Sequence, residues 1–174
     1  RIWAAAWSPD GKRIAIGGDD THVHIWDAET GDAVQKLSGH TMGLLTLEYH
    51  PDGKRLLSNA QASETIIWDV PQQEPLRVLT DKVQSYAEGW SADGNSYLSW
   101  DGKNINVWDS QSATKVASLR NVYDAWKEQT DFLGGLISPD GKWLVVWKEA
   151  PKYEVIVFDK RTGRVHATFP GGFS

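Results

Sequence analysis

The chain has 174 residues and a formal net charge of -5, with an isoelectric point near 5.5; this balance argues against an electrostatic grip on nucleic acid or anionic lipid, which needs concentrated Lys and Arg. It contains no cysteine, which excludes disulfides and thiolate metal sites and sets cytoplasmic residence as the expectation. No apolar run approaches the ~20 residues that span a bilayer and the first residues show no charged-then-apolar pattern, while ten Trp suit sheets that pack face to face.

In chain order, short β-branched and aromatic runs predict strands at about 2–7, 12–17, 22–27 and 33–38, bounded by Gly, Pro, Asp and Asn. The turn Ser8-Pro9-Asp10-Gly11 joins the first two, and the third closes on Ile25-Trp26-Asp27. Pro before Asp-Gly sets one φ and then allows a positive one, as a tight hairpin requires. The same order then recurs. The turn returns as His50-Pro51-Asp52-Gly53, Ser91-Ala92-Asp93-Gly94 and Ser138-Pro139-Asp140-Gly141, with starts 42, 41 and 47 residues apart. The strand ending returns as Ile67-Trp68-Asp69, Val107-Trp108-Asp109 and Val157-Phe158-Asp159. Ten residues beyond each of these Asp stand Leu37, Leu79, Leu119 and Phe169. Self-similarity at this period marks a repeat architecture, and no 3.6-residue periodicity for a helix is sustained anywhere.

Trp-Asp closing the third strand, Gly39-His40 ahead of the second unit and the repeat length make the chain resemble the WD40 repeat family. The resemblance implies an all-β fold: a β-propeller built of four consecutive four-stranded antiparallel blades, at about 1–40, 41–82, 83–121 and 122–174. It also implies a hydrogen-bonded tetrad in each blade, made by a His before the first strand, a Ser or Thr of the second, an Asp of the following loop and a Trp of the third. On that pattern Trp26, Trp68, Trp108, His40, Ser58, Ser99 and Asp101 are structural residues, and the three Trp are expected to be buried with satisfied indole N–H groups. No unit matches fully. The second has Gln61 and Ala62 where the loop Asp belongs, the third has Asp81-Lys82 for Gly-His, the first has Ile16 for Ser, and the fourth has Val146 and Phe158 for Ser and Trp. A stack of blades that does not close leaves an apolar face at each end. The expectation is a segment of a larger propeller; a pair of half-rings and a closed four-blade ring are the alternatives.

Chemistry-bearing patterns are sparse. His22 and His24 share a strand face but bring no third metal ligand, and the Asp-Gly turns lack the spacing of a calcium loop. Lys12, Arg13, Lys54, Arg55 and Lys142 follow the turns and read as solvated hairpin ends, with a phosphate-binding collar as the alternative. No nucleophile-elbow, zinc-protease or phosphate-loop motif occurs, so no catalytic residue, cofactor or metal is expected. The departures from the repeat are more informative. From the strand-ending Asp to the next turn is 23, 22 and then 29 residues, and from turn to Asp is 19, 19, 18 and then 21. Both enlargements fall on the fourth unit, in loops expected on one rim. They place Tyr123, Trp126, Lys127, Glu128, Lys148, Lys152 and Tyr153 together as a candidate partner site, because aromatics interleaved with charge serve as interaction hot spots. The function expected is a protein-interaction scaffold without catalysis, whose partner is a protein or peptide and not nucleic acid or membrane. Further blades or a second copy are the other expected partners. A ligand-binding or enzymatic propeller of the TolB or lactonase kind, and a structural sensor segment of a multidomain bacterial protein, are the competing readings.

Overall fold

A computed structural model describes residues 1–61, 64–80, 87–100, 104–112, 114–119, 132–148 and 154–170. Among the described residues, sixteen strands form four antiparallel sheets, each of four strands consecutive in sequence. The first holds β1 (Ile2–Trp7), β2 (Arg13–Gly18), β3 (His22–Asp27) and β4 (Ala33–Ser38), and the second β5 (Leu44–Tyr49), β6 (Arg55–Ala60), β7 (Glu64–Asp69) and β8 (Glu74–Thr80). The third holds β9 (Ala87–Trp90), β10 (Ser96–Trp100), β11 (Ile105–Asp109) and β12 (Lys115–Leu119), and the fourth β13 (Phe132–Ile137), β14 (Trp143–Lys148), β15 (Glu154–Asp159) and β16 (Val165–Pro170). The expected strand order is therefore observed. β2 begins one residue late, because the Lys12 N–H is held by Asp10 Oδ1 at 3.0 Å within the turn.

The turn residues act as their chemistry dictates. Gly11, Gly53, Gly94 and Gly141 all sit near φ +70°, a region open to glycine at no steric cost. Ser8 Oγ donates to Asp10 Oδ1 at 2.6 Å and accepts the Arg13 N–H at 2.9 Å, which pins the strand entering the sheet. Ser91 with Asp93 and Ser138 with Asp140 repeat that arrangement. At the second turn His50 replaces Ser, and its Nδ1 accepts the Asp52 N–H at 3.0 Å. The strand-ending Asp organises the turn after it, and Asp27, Asp69, Asp109 and Asp159 each accept backbone N–H groups there at 2.7–2.9 Å. A register shift falls between the last two apolar residues of the third strand in all four sheets, at Ile25/Trp26, Ile67/Trp68, Val107/Trp108 and Val157/Phe158. Such bulges sharpen the local twist of each sheet.

The chain divides into two compact units, Arg1–Ala87 and Glu88–Ser174. In the first, Ala15, Val23, Ile25 and Leu37 of one sheet pack on Leu44, Leu56, Ile66 and Trp68 of the next. Close approach depends on Gly17, where a Cβ would lie 3.1 Å from Leu44 Cβ and 3.3 Å from Leu47 Cδ1. In the second unit, Leu98, Ile105, Val107 and Leu119 pack on Leu144, Val146, Ile156 and Phe158. Phe158 thus fills the Trp position of the fourth sheet with area alone. Burying each such side chain contributes roughly 1.5–3 kcal/mol, more than any single hydrogen bond here. Sheet-to-sheet apolar contact therefore carries most of the stability of each unit.

Candidate functional site

The second sheet carries a complete polar chain across its buried face. Trp68 Nε1–H donates to Ser58 Oγ at 2.7 Å, and Ser58 Oγ lies 2.6 Å from His40 Nε2. His40 Nδ1 lies 2.8 Å from Glu64 Oε2, which also accepts the Thr41 N–H at 3.0 Å. A carboxylate only accepts, so Nδ1 carries the imidazole proton and Nε2 accepts the serine O–H. Burial lowers the His40 pKa below its ordinary value and outweighs the opposing pull of Glu64, so the ring is neutral. Each donor of this relay, from Trp68 through Ser58 to His40, then meets an acceptor. The expectation that this unit lacks its acid is corrected: the acid comes from Glu64, the first residue of β7, and not from positions 61 or 62 of the loop. Sequence reasoning missed it by looking for Asp in the loop alone, although a longer Glu side chain reaches the same His from two residues further on.

The other structural candidates are met in part. Trp108 Nε1–H donates to Ser99 Oγ at 2.8 Å, its ring stacks on Tyr97 with centroids 6.0 Å apart, and Lys115 Nζ lies 5.1 Å from the ring centre. Asp101 lies outside the described residues. Trp108 is half-buried rather than buried, and Trp26 departs further from the expectation. It is 37 % exposed, not buried, because Ile16 offers its indole N–H no acceptor and its face of the first sheet points away from the second sheet. Fixed offsets along a repeat give equivalent positions, but a neighbouring sheet decides burial. Phe169, which is 55 % exposed, shows the same on the fourth sheet.

The hairpin-end cations do not form a uniform collar. Arg55 Nε donates to Asp52 Oδ2 at 2.9 Å, and Lys142 Nζ lies 3.7 Å from Asp140. In the first unit a cleft runs between the first two turns, where Asp10, Asp27 and Asp52 share the walls with Lys12 and Arg13. Three carboxylates beside two cations do not favour a phosphate. Their oxygens are committed: hydrogen bonds from Ser8 and from the Lys12 N–H hold the Asp10 carboxyl below the usual range, and at Asp27 the N–H groups of Thr30 and Glu29 do the same. At Asp52 burial pushes upward, but the Lys54 N–H and the Arg55 guanidinium prevail. His24 Nε2 lies 2.6 Å from Asp20 Oδ2, and its ring stands edge-on to His22 with centroids 6.2 Å apart. No group of three metal-ligating side chains occurs among the described residues.

Of the candidate partner residues, Tyr123, Trp126, Lys127, Glu128, Lys152 and Tyr153 lie outside the described residues, and Lys148 ends β14. The strand boundaries nevertheless fix how much chain each connection holds. Twelve residues, 120–131, separate β12 from β13, against five at 39–43 and six at 81–86. Five residues, 149–153, separate β14 from β15, against three at both 19–21 and 61–63 and four at 101–104.

Four consecutive four-stranded antiparallel sheets, each with a Ser/His-x-Asp-Gly first turn and an aromatic-Asp third strand, define a chain of propeller-type blades. Family models agree: residues 1–45 match the anaphase-promoting complex subunit 4 WD40 domain, and residues 31–69 match the WD domain, G-beta repeat. Over residues 1–69 the sequence is therefore similar to the WD40 repeat family, and the four-sheet architecture agrees with that likeness. Among curated relatives it is similar to the serine-threonine kinase receptor-associated protein of Gallus gallus, 29 % identical over 124 residues, covering 68 % of this chain and 34 % of the relative. It is also similar to the U3 snoRNP-associated protein-like YAO of Arabidopsis thaliana, 48 % identical over 48 residues, covering 26 % of this chain and 10 % of the relative. The U5 small nuclear ribonucleoprotein 40 kDa protein of Homo sapiens is 38 % identical over 45 residues, covering 26 % and 13 %. The matched stretch thus spans about a third of the first relative's length and about a tenth of the others'.

Proposed function

We propose that the chain is a protein-interaction scaffold without catalysis of its own, and that its partner is held by the two enlarged connections of the fourth blade, 120–131 and 149–153. The observation that carries this reading is that both enlargements fall on one blade, while the other three keep connections of near-constant length. Loops presented by a rigid framework are where binding residues concentrate. Residues 120–131 bring Tyr123, Trp126, Lys127 and Glu128, and 149–153 bring Lys152 and Tyr153, with Lys148 at the root of the second loop. Large amphipathic rings among charges supply contact area at low entropic cost. The framework's own polar groups support the reading from the other side, since Ser58, His40, Glu64 and Trp68 are spent on holding a blade together. The names of the relatives point the same way, toward components of larger complexes. Some of those complexes are ribonucleoproteins, so protein and RNA capture are measured separately.

Tyr123→Ala with Trp126→Ala is compared with wild type for capture of partners from cell extract, with and without ribonuclease. The expected result is unchanged thermal stability and a ribonuclease-resistant loss of capture, corresponding to about 30-fold to 1,000-fold in affinity for a hot-spot pair. Lys12→Glu with Lys54→Glu is the control; Arg55 is unsuitable because it is tied to Asp52. Capture abolished by the control and untouched by the aromatic pair overturns the proposal, as does capture that ribonuclease removes entirely.

A further inference from the structure

The first turn of every blade contains an Asp-Gly bond, at 10–11, 52–53, 93–94 and 140–141. Aspartate isomerises readily in this dipeptide, because no Cβ on the glycine shields the glycine amide nitrogen. In that reaction the nitrogen attacks the aspartate Cγ. An N–Cγ bond forms, one carboxyl oxygen leaves with two protons as water, and a five-membered succinimide ring results. Water then reopens the ring, and opening at the α carbonyl leaves the chain running through Cγ as isoaspartate. The step needs no co-reactant beyond water, only a geometry that brings nitrogen to Cγ and a carboxyl that is protonated when it is attacked.

The four turns deny both requirements. Each glycine N–H donates to the carbonyl three residues back, at 2.9, 2.9, 2.8 and 2.8 Å in chain order. Each Asp keeps a negative φ, since Thr21 and Gln73 are the non-glycine residues of positive φ among the described residues. Together these define a type I turn, in which the Asp position has ψ near 0°. Ring closure needs the glycine nitrogen eclipsed with the Asp Cβ, whereas ψ near 0° eclipses it with the Asp nitrogen instead. The carboxyl is also drawn past the glycine. Asp10, Asp52, Asp93 and Asp140 each use Oδ1 to accept the N–H of the residue after the glycine, at 3.0, 2.8, 2.9 and 3.1 Å. Hydroxyls of Ser8, Ser91 and Ser138 donate to Asp10, Asp93 and Asp140 at 2.6 Å, and these bonds hold the three carboxyls below the usual carboxylate range. At Asp52 the Arg55 guanidinium stands in for the hydroxyl, with Nε 2.9 Å from Oδ2.

We propose that Asp10, Asp52, Asp93 and Asp140 are modification sites that the folded blades keep closed, each converting to isoaspartate only while the turn that holds it is open. An opened blade thereby marks itself. The α-carboxylate of isoaspartate is the group that a carboxyl methyltransferase esterifies, moving the sulfonium methyl of S-adenosylmethionine onto a carboxylate oxygen, so an enzyme of that class is the partner that reads the mark. The turn serine has two roles: it pins the entering strand, and its hydroxyl keeps the neighbouring carboxyl ionised and unreactive.

The test incubates the whole chain in mildly acidic buffer, folded and in urea. Peptide mapping counts isoaspartate at each site, and transfer of a labelled methyl group from S-adenosylmethionine by an isoaspartyl methyltransferase gives an independent readout. In the folded wild type the four turns are expected to isomerise about tenfold or more slowly than in the unfolded chain, because modification tracks the population of the opened turn. Ser8→Ala is expected to raise isoaspartate at Asp10 severalfold and to leave Asp93 and Asp140 of the same molecules unchanged. Ser138→Ala should act likewise on Asp140 alone, and replaces the first variant if that one does not fold. Equal rates in the folded and unfolded wild type overturn the proposal. So does a serine variant, folded by circular dichroism, that leaves its own aspartate unchanged or raises all three alike, which is the pattern of general destabilisation.

Discussion

Replacing Ser58 by Ala removes one hydroxyl with little change in volume, yet it strips two buried groups of their partner at once. Trp68 is fully buried and its indole N–H donates only to Ser58, while His40, whose side chain is fully buried, loses the donor at Nε2. Each orphaned group costs ~1–3 kcal/mol, so Ser58→Ala is expected to destabilise the first unit by about 2–4 kcal/mol after partial relaxation. Trp68→Phe removes the same donor and some volume, at ~1–3 kcal/mol. In the double variant the indole N–H no longer exists to be orphaned. The combined cost should therefore fall short of the sum by about 1 kcal/mol or more, a coupling expected of residues in one network. Urea unfolding followed by far-ultraviolet circular dichroism measures all four corners of the cycle. A Ser58→Ala cost below about 0.5 kcal/mol, or additivity within ~0.3 kcal/mol, would falsify the relay from Trp68 through Ser58 to His40.

Trp26→Ala should cost only about 1 kcal/mol against ~3–5 kcal/mol for Trp68→Ala, since one ring is partly exposed and the other is core; equal losses in matched denaturation curves would show that the first blade's outer face has been misread. The depressed pKa of His40 makes the unfolded chain the better proton acceptor. Its contribution is fully present above about pH 6.5, the ordinary histidine value, and is lost as pH falls below that point toward the folded-state pKa. A pH series of unfolding free energies should show that slope flatten in His40→Asn, and an unaltered slope would refute it. Gly53→Ala places a side chain at φ +69° and should cost on the order of 1 kcal/mol by strain alone, because no crowding at that Cβ comes closer than Pro9 Cδ at 3.7 Å. A stabilising Gly53→Ala in thermal melts would contradict the turn assignment.

Sequence makes the local parts of this fold legible and leaves the neighbour-dependent parts opaque. Pro-Asp-Gly turns and β-branched strands specify conformation within a few residues, so the strands of the first blade are predicted to within one residue of where they lie. Trp68 and Trp108 find their serines because partner and donor sit on paired strands of a single sheet. Trp26 fails the same expectation, because its burial depends on a surface outside its own sheet and its missing acceptor is one substitution, Ile16, on the paired strand. Glu64 is illegible for a different reason: side-chain reach, not position in the loop, completes the His40 relay.

The most direct test of the interaction-scaffold account is hydrogen exchange on the chain alone and on the chain bound to its captured partner. The expected result is new protection concentrated in 120–131 and 149–153, with the first-turn segments 8–13 and 50–55 unchanged. Protection confined to those turn segments, with the two enlarged connections exchanging as they do in the free chain, would contradict the account.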